Sequence, residues 1–116
     1  MEETKIYNLD YLKSHSPNNP KFVSEMIEMF LEHTPPYLAK MKNCLISSDW
    51  AGLQGNIHKI RPSIDLMGMP KDIGVTAKQM EEYCKEQIHL ELVPEMFLKL
   101  EKVLEGAFKE LAEELK

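Results

Sequence analysis

Asn56-Ile57-His58-Lys59-Ile60-Arg61-Pro62-Ser63-Ile64-Asp65-Leu66-Met67-Gly68 is the stretch whose reading decides the fold. Extended back to Trp50, its apolar residues Trp50, Leu53, Ile57, Ile60, Ile64 and Met67 recur at spacings of 3, 4, 3, 4 and 3. At about 100° per residue this is the stripe of an amphipathic helix that buries one face. The stripe centres roughly 130° from His58, so the imidazole is expected to face water. Its neighbours on that outer face are Ala51, Gln54, Gly55, Arg61, Pro62 and Asp65. Gly55 and Pro62 are poor helix formers, but compact residues let the backbone of a partner come close. Arg61, one turn past His58, can reach a group attached to the ring. Read as a solvated side chain, it is expected to contribute little to folding. Lys59 and Arg61, with no acid between Ala51 and Ser63, form a local basic patch.

The rest of the chain also reads as helix. Asn8 can cap a short turn carrying Leu9, Tyr11 and Leu12. Asn19-Pro20 is a strong helix start, a capping side chain followed by proline at the first helical position. Phe22, Val23, Met26, Ile27, Met29, Phe30 and Leu31 then give a broad apolar face. Pro35 and Pro36 interrupt it. Propensity favours a break there with Thr34 capping a new helix, because an interior proline removes a hydrogen bond and clashes with the preceding turn; one long, bent helix is the alternative. Leu38, Met41, Leu45 and Ile46 continue the pattern, and Ser47-Ser48-Asp49 offers a turn with caps for the His58 helix. Gly68 suits a left-handed helix end, and Pro70 opens a helix whose inner face is Ile73, Ala77, Met80, Cys84 and Ile88. After a turn region with His89 and Pro94, a last helix buries Phe97, Leu100, Leu104, Phe108, Leu111 and Leu115. There is no sustained alternation and no Asn-Gly or Asp-Gly hairpin, so no strand is predicted. Four substantial amphipathic segments joined by short turns predict an all-α fold, an antiparallel four-helix bundle with a short N-terminal helix.

At 116 residues the chain is expected to be one domain, residues 1–116. A net charge of −5 argues against a nucleic-acid partner, because no basic field covers the whole. The start, Met1-Glu2-Glu3-Thr4-Lys5, has no apolar stretch behind it, so neither a signal peptide nor a membrane anchor is expected. Cys44 and Cys84 lack a C-x-x-C spacing and fall on apolar faces, which suits two buried thiols in a reducing cytoplasm.

Several chemistries find no support. There is no G-x-x-x-x-G-K-[ST] loop, no G-x-G-x-x-G and no H-E-x-x-H. A di-iron bundle needs two Glu-x-x-His motifs, and this chain has only Glu86-Gln87-Ile88-His89. Nothing resembles a nucleophile elbow. His15 and His33 are placed near helix ends, where terminal carbonyls or solvent would occupy them. His58 alone has a helical setting of small residues and an adjacent arginine.

On these residues the chain resembles the histidine phosphotransfer domains of two-component phosphorelays. Their pattern approximates H-x-[hydrophobic]-[KR]-G-[SA]-x-x-x-x-G, matched here by His58, Ile60, Arg61, Ser63 and Gly68. Phe30-Leu31-Glu32-His33-Thr34-Pro35-Pro36-Tyr37-Leu38 looks like the family's phenylalanine-containing helix with its mid-helix proline, and so implies one long, bent helix. Ser48-Asp49-Trp50 looks like the acidic turn before the phosphorylated helix, and Met80-Glu81-Glu82-Tyr83-Cys84 falls where the following helix packs. The likeness spans roughly residues 7 to 115. Pro62 departs from the glycine usual four residues after the histidine, and Ile57 from a frequent alanine.

The resemblance implies a relay through a phosphohistidine between receiver-domain aspartates, with no ATP-dependent kinase activity. His58 would be the phosphoacceptor through Nε2, and an imidazole suits this because much of it is neutral near neutral pH. Arg61, with Lys59 more peripheral, would supply countercharge to the phosphoryl oxygens. Ala51, Gln54, Gly55, Pro62 and Asp65 would form the docking surface. The partner would be a response-regulator receiver domain or a hybrid sensor kinase, with Mg2+ supplied by the receiver. No cofactor or metal of its own, no nucleic acid and no membrane are expected, and a cytoplasmic monomer is. The other reading is an all-helical adaptor that binds a receiver without turnover, which Pro62 keeps open.

Overall fold

The computed structural model describes residues 7–116; the Met1–Lys5 segment, read above for a signal peptide, lies outside them. Five α-helices follow one another: α1 (Asp10–His15), α2 (Pro20–Ile46), α3 (Trp50–Leu66), α4 (Lys71–Glu86) and α5 (Val93–Glu114), with a 3-10 turn, Leu90–Leu92, before α5. No strand occurs among the described residues. At 1.5 Å per residue the 27 residues of α2 are about 40 Å long, nearly the whole 45 Å long axis of the molecule. The principal packing pairs are α2 with α3, α3 with α4, α4 with α5, and α5 with α2, so each long helix has two chief neighbours. No helix among the described residues is long and apolar enough to cross a membrane.

The ends obey local chemistry. Asn19 accepts a hydrogen bond from the Phe22 N–H at 3.3 Å, with Pro20 beside it in the first turn of α2. Asp49 caps α3, accepting from the Gly52 N–H at 2.9 Å. Asn8 accepts from the Asp10 N–H at 2.8 Å and starts α1. The Asn8 N–H in turn donates to the Met67 carbonyl at 3.0 Å, fastening the N-terminal segment over the end of α3. Gly68 is required there twice over. Its φ is +61°, and a Cβ on it would collide with the Asn8 carbonyl.

Pro35 and Pro36 do not break α2, which runs uninterrupted from Pro20 to Ile46. The break favoured by propensity is therefore corrected. The buried residues Phe30, Thr34, Leu38 and Met41 continue across both prolines on one face, and packing on both sides of them outweighs the local cost of about 3 kcal/mol per proline.

The core holds the predicted inner stripes: Leu53, Ile57, Ile60, Ile64 and Met67 beside Ile73, Ala77, Met80 and Cys84, and Phe97, Leu100, Leu104 and Leu111. Inside the helices Met29 is exposed on α2 and Phe108 only half-buried on α5, and the other departures fall where helices end. Gln87 turns left-handed with φ of 55° and stops α4, so Ile88 lies beyond the helix and is exposed instead of buried. Ile46 and Leu115 are likewise exposed at helix ends. His33 sits exposed inside α2, not near a helix end as expected, because α2 continues past the prolines. His15 does end a helix, and its Nδ1 lies 3.0 Å from the Tyr11 carbonyl. Cys84 is buried, which pushes its thiol up to about 11. Cys44 is only half-buried, against expectation; desolvation and the neighbouring Asp49 still raise it.

Candidate functional site

The outer side of α3 carries Ala51, Gly55, His58, Pro62 and Asp65 at spacings of 4, 3, 4 and 3, one row running along the helix, and all five are exposed. Gln54 flanks this row and is half-buried. Around Gly55 there is open space, since a Cβ added there would meet no atom within 4 Å. Pro62 lies inside α3 without ending it, and its missing N–H leaves the His58 carbonyl without a helical donor. Near Asp65 the seam between α3 and α4 opens into a shallow groove of about 390 Å³, lined in part by Gly74, Val75 and Lys78.

His58 is 71% exposed, as its helical phase predicts. Its surroundings differ from the basic patch read from sequence. Glu81, on α4, sets one carboxylate oxygen, Oε2, 3.0 Å from His58 Nδ1 and the other, Oε1, 2.8 Å from Arg61 Nη1. The side chain of Glu81 is only 13% exposed. It flanks Met80 and follows Ala77 by one turn, on the border of the buried face of α4 that packs against α3. No acid lies near His58 along the chain, yet the fold places one in contact with it. Arg61 is not a free, solvated cation but a half-buried member of an ion pair.

Partial burial alone would raise the Glu81 carboxyl. The hydrogen bonds and charges of Arg61 and His58 outweigh that effect and hold it below the ordinary carboxylate range. Glu81 is therefore ionised at neutral pH and can only accept. Nδ1 of His58 must be the donor, so a neutral imidazole carries its proton there and presents the Nε2 lone pair away from Glu81.

Lys59 is not brought into this set. It leans to the α2 side, its Nζ 5.7 Å from the centre of the Tyr37 ring, which Lys40 also approaches at 5.4 Å. Glu86 and His89, the single Glu-x-x-His, are exposed, and His89 packs on Tyr83 with ring centres 5.0 Å apart. Among the described residues no group of three or more His, Cys, Asp or Glu side chains is placed to hold a metal ion.

The structure thus joins His58 and Arg61 with one residue that sequence reasoning did not assign, Glu81. Its signal was faint: an acid at the edge of an inner face, with nothing to say which helix it would meet. No family model, no curated protein and no solved structure matches this chain.

Proposed function

We propose that the chain is a histidine phosphotransfer domain that accepts a phosphoryl group on Nε2 of His58 from a receiver-domain aspartyl phosphate and returns it to another. In this reading the four long helices form an antiparallel four-helix bundle, with α1 as the short N-terminal helix. Short connections between successive helices that also pack together support that arrangement. The observation that carries the functional reading is the exposed imidazole of His58, midway along a helix, with Nδ1 engaged by a carboxylate and Nε2 outward.

Phosphoryl transfer asks chiefly for in-line positioning and for charge on the equatorial oxygens. Arg61 spends one N–H on Glu81, and a guanidinium has five, so the others can turn to a phosphoryl group on the ring. Mg2+ and the reacting aspartate belong to the receiver. Ala51, Gly55 and Pro62 keep the surface beside His58 low enough for that active site to close on the ring.

The test is incubation with a phosphorylated receiver domain followed by intact-mass measurement under alkaline conditions. The parent chain should gain one acid-labile phosphate and His58→Gln none. Label on the variant would remove His58 from the mechanism. Pairing of Arg61 with Glu81 favours a second reading, a receiver-binding adaptor. That reading is supported if the complex forms and no phosphate ever reaches the chain.

A further inference from the structure

We propose that Met26, Met29 and His33 on α2, with Met67 just past the end of α3, form a binding site for one soft monovalent cation, Cu(I). The inference goes beyond the phosphotransfer reading and does not depend on it.

Two of these side chains have no role in the fold. Met29 is 51% exposed in the middle of α2, so it does not fill a gap in the core, the usual work of a methionine. The His33 ring has no hydrogen-bond, ion-pair or ring partner among the described residues, whereas His15, His58 and His89 are engaged with Tyr11, Glu81 and Tyr83. Met26, Met29 and His33 follow one another at spacings of 3 and 4, which at about 100° per residue keeps them within roughly 60° of arc on α2. All three line one small pocket of about 110 Å³, and the buried Met67 lines it from the α3 side.

The size and the donors of this pocket select its occupant. Its volume is well below the roughly 300–1,000 Å³ of sites for organic ligands, but it has room for a single ion. Besides the four donors the wall is apolar at Phe30 and Leu66 and carries the hydroxyls of Thr34 and Ser63, with no carboxylate and no amine among the described residues. Mg2+ and Ca2+ call for several oxygen ligands, carboxylates above all, and a zinc site is built from thiolate, imidazole or carboxylate. Thioethers select Cu(I), and imidazole is also a copper ligand, so copper is the ion that suits both donor types. Every donor is neutral, and a single positive charge costs less than two to bring into so apolar a pocket. With Met67 as a ligand, the ion ties the exposed face of α2 to the end of the helix that carries His58. Binding to the folded chain then adds stability by mass action.

The test is titration with Ag(I), a redox-inert stand-in, and with Cu(I) kept reduced by ascorbate, in a Cys44→Ser background that removes the half-buried thiol. Carbon-13 NMR of the methionine methyl groups should show Met26, Met29 and Met67 shifting together, saturating at one ion per chain, with Mg2+ and Zn2+ leaving them unmoved. Competition against the Cu(I) chelator bicinchoninate should give a Kd about tenfold or more weaker for Met29→Leu and for His33→Gln, since loss of even an outer partner of a metal ligand costs roughly 10–100-fold. Both side chains are exposed, so these variants should fold as the parent does. Met96→Leu, on α5, should bind as the parent does. Shifts spread over Met41, Met69 and Met80, no saturation at one ion, or equal Kd values for Met29→Leu, His33→Gln and Met96→Leu would overturn the site. His58→Gln should bind the ion unchanged, and loss of binding there would also overturn it. The titration is read with no receiver present, so a chain that binds Cu(I) and never takes up phosphate would sink the relay and leave the metal site standing.

Discussion

The inner and outer faces of α3 ask opposite things of their residues. On the inner face Leu53, Ile57, Ile60 and Ile64 are each no more than 2% exposed, and any large apolar side chain of suitable volume would meet the same demand. On the outer face Gly55 and Pro62 interrupt good helix propensity, and nothing in the packing of the chain requires either. Gly68, at the end of the same helix, shows what a structurally required glycine looks like: a positive φ and a backbone carbonyl where a Cβ would stand. Gly55 has neither, only open space. The inner face is explained by the chain itself, while the outer face is the one that the proposed receiver would approach.

The largest effect is expected inside. Ile60→Ala removes a fully buried side chain between packed helices and should cost about 2–5 kcal/mol, read by urea unfolding. A loss well under 1 kcal/mol would mean the inner stripe is not the core contact described here. The contrast predicts that at low denaturant this variant, while still folded, takes up phosphate on His58 at close to the parent's rate.

Arg61 lies on the border between the two faces and should show both kinds of effect. Arg61→Ala should slow phosphotransfer and also lower stability by about 1 kcal/mol, because it leaves a largely buried carboxylate with one hydrogen-bond partner fewer. The pH dependence has a definite sign. A carboxyl held in the folded state below its ordinary value of 4.5 contributes stability above that pH, and the contribution is lost as pH falls through the lower folded value. The parent should therefore lose stability below about pH 4.5, and Glu81→Gln should lose less over that range, as measured by thermal melts across the acid limb. Equal acid sensitivity of the two would show that the Glu81 ion pair does not stabilise the fold.

The smallest effect is expected at Gly55, and it has the opposite sign. Gly55→Ala meets no atom and should stabilise α3 by roughly 0.5–1 kcal/mol, a rise of a few degrees in melting temperature. If a receiver closes on this row, the added methyl should weaken docking even as the chain becomes more stable. A variant that is more stable and transfers at the parent's rate would place Gly55 outside the interface and weaken the contrast between the two faces.

The sequence determined the helices, most of their caps and the outward orientation of His58, because these follow from local periodicity and from side chains acting within a turn or two. Asn19, Asp49 and Gly68 behave as their chemistry demands. Local rules failed where a long-range gain opposed them. They predicted a break at Pro35 and Pro36, but packing on both sides of the prolines carries α2 through. They extended α4 to Ile88, although a left-handed Gln87 ends it first. The environment of His58 was beyond them altogether. Glu81 stands 23 residues away in sequence, and its contact depends on the register between α3 and α4. That register is set by side chains interlocking across two helices, which no window along one of them contains, so only the tertiary structure could convert a basic patch into a histidine and an arginine held by one carboxylate.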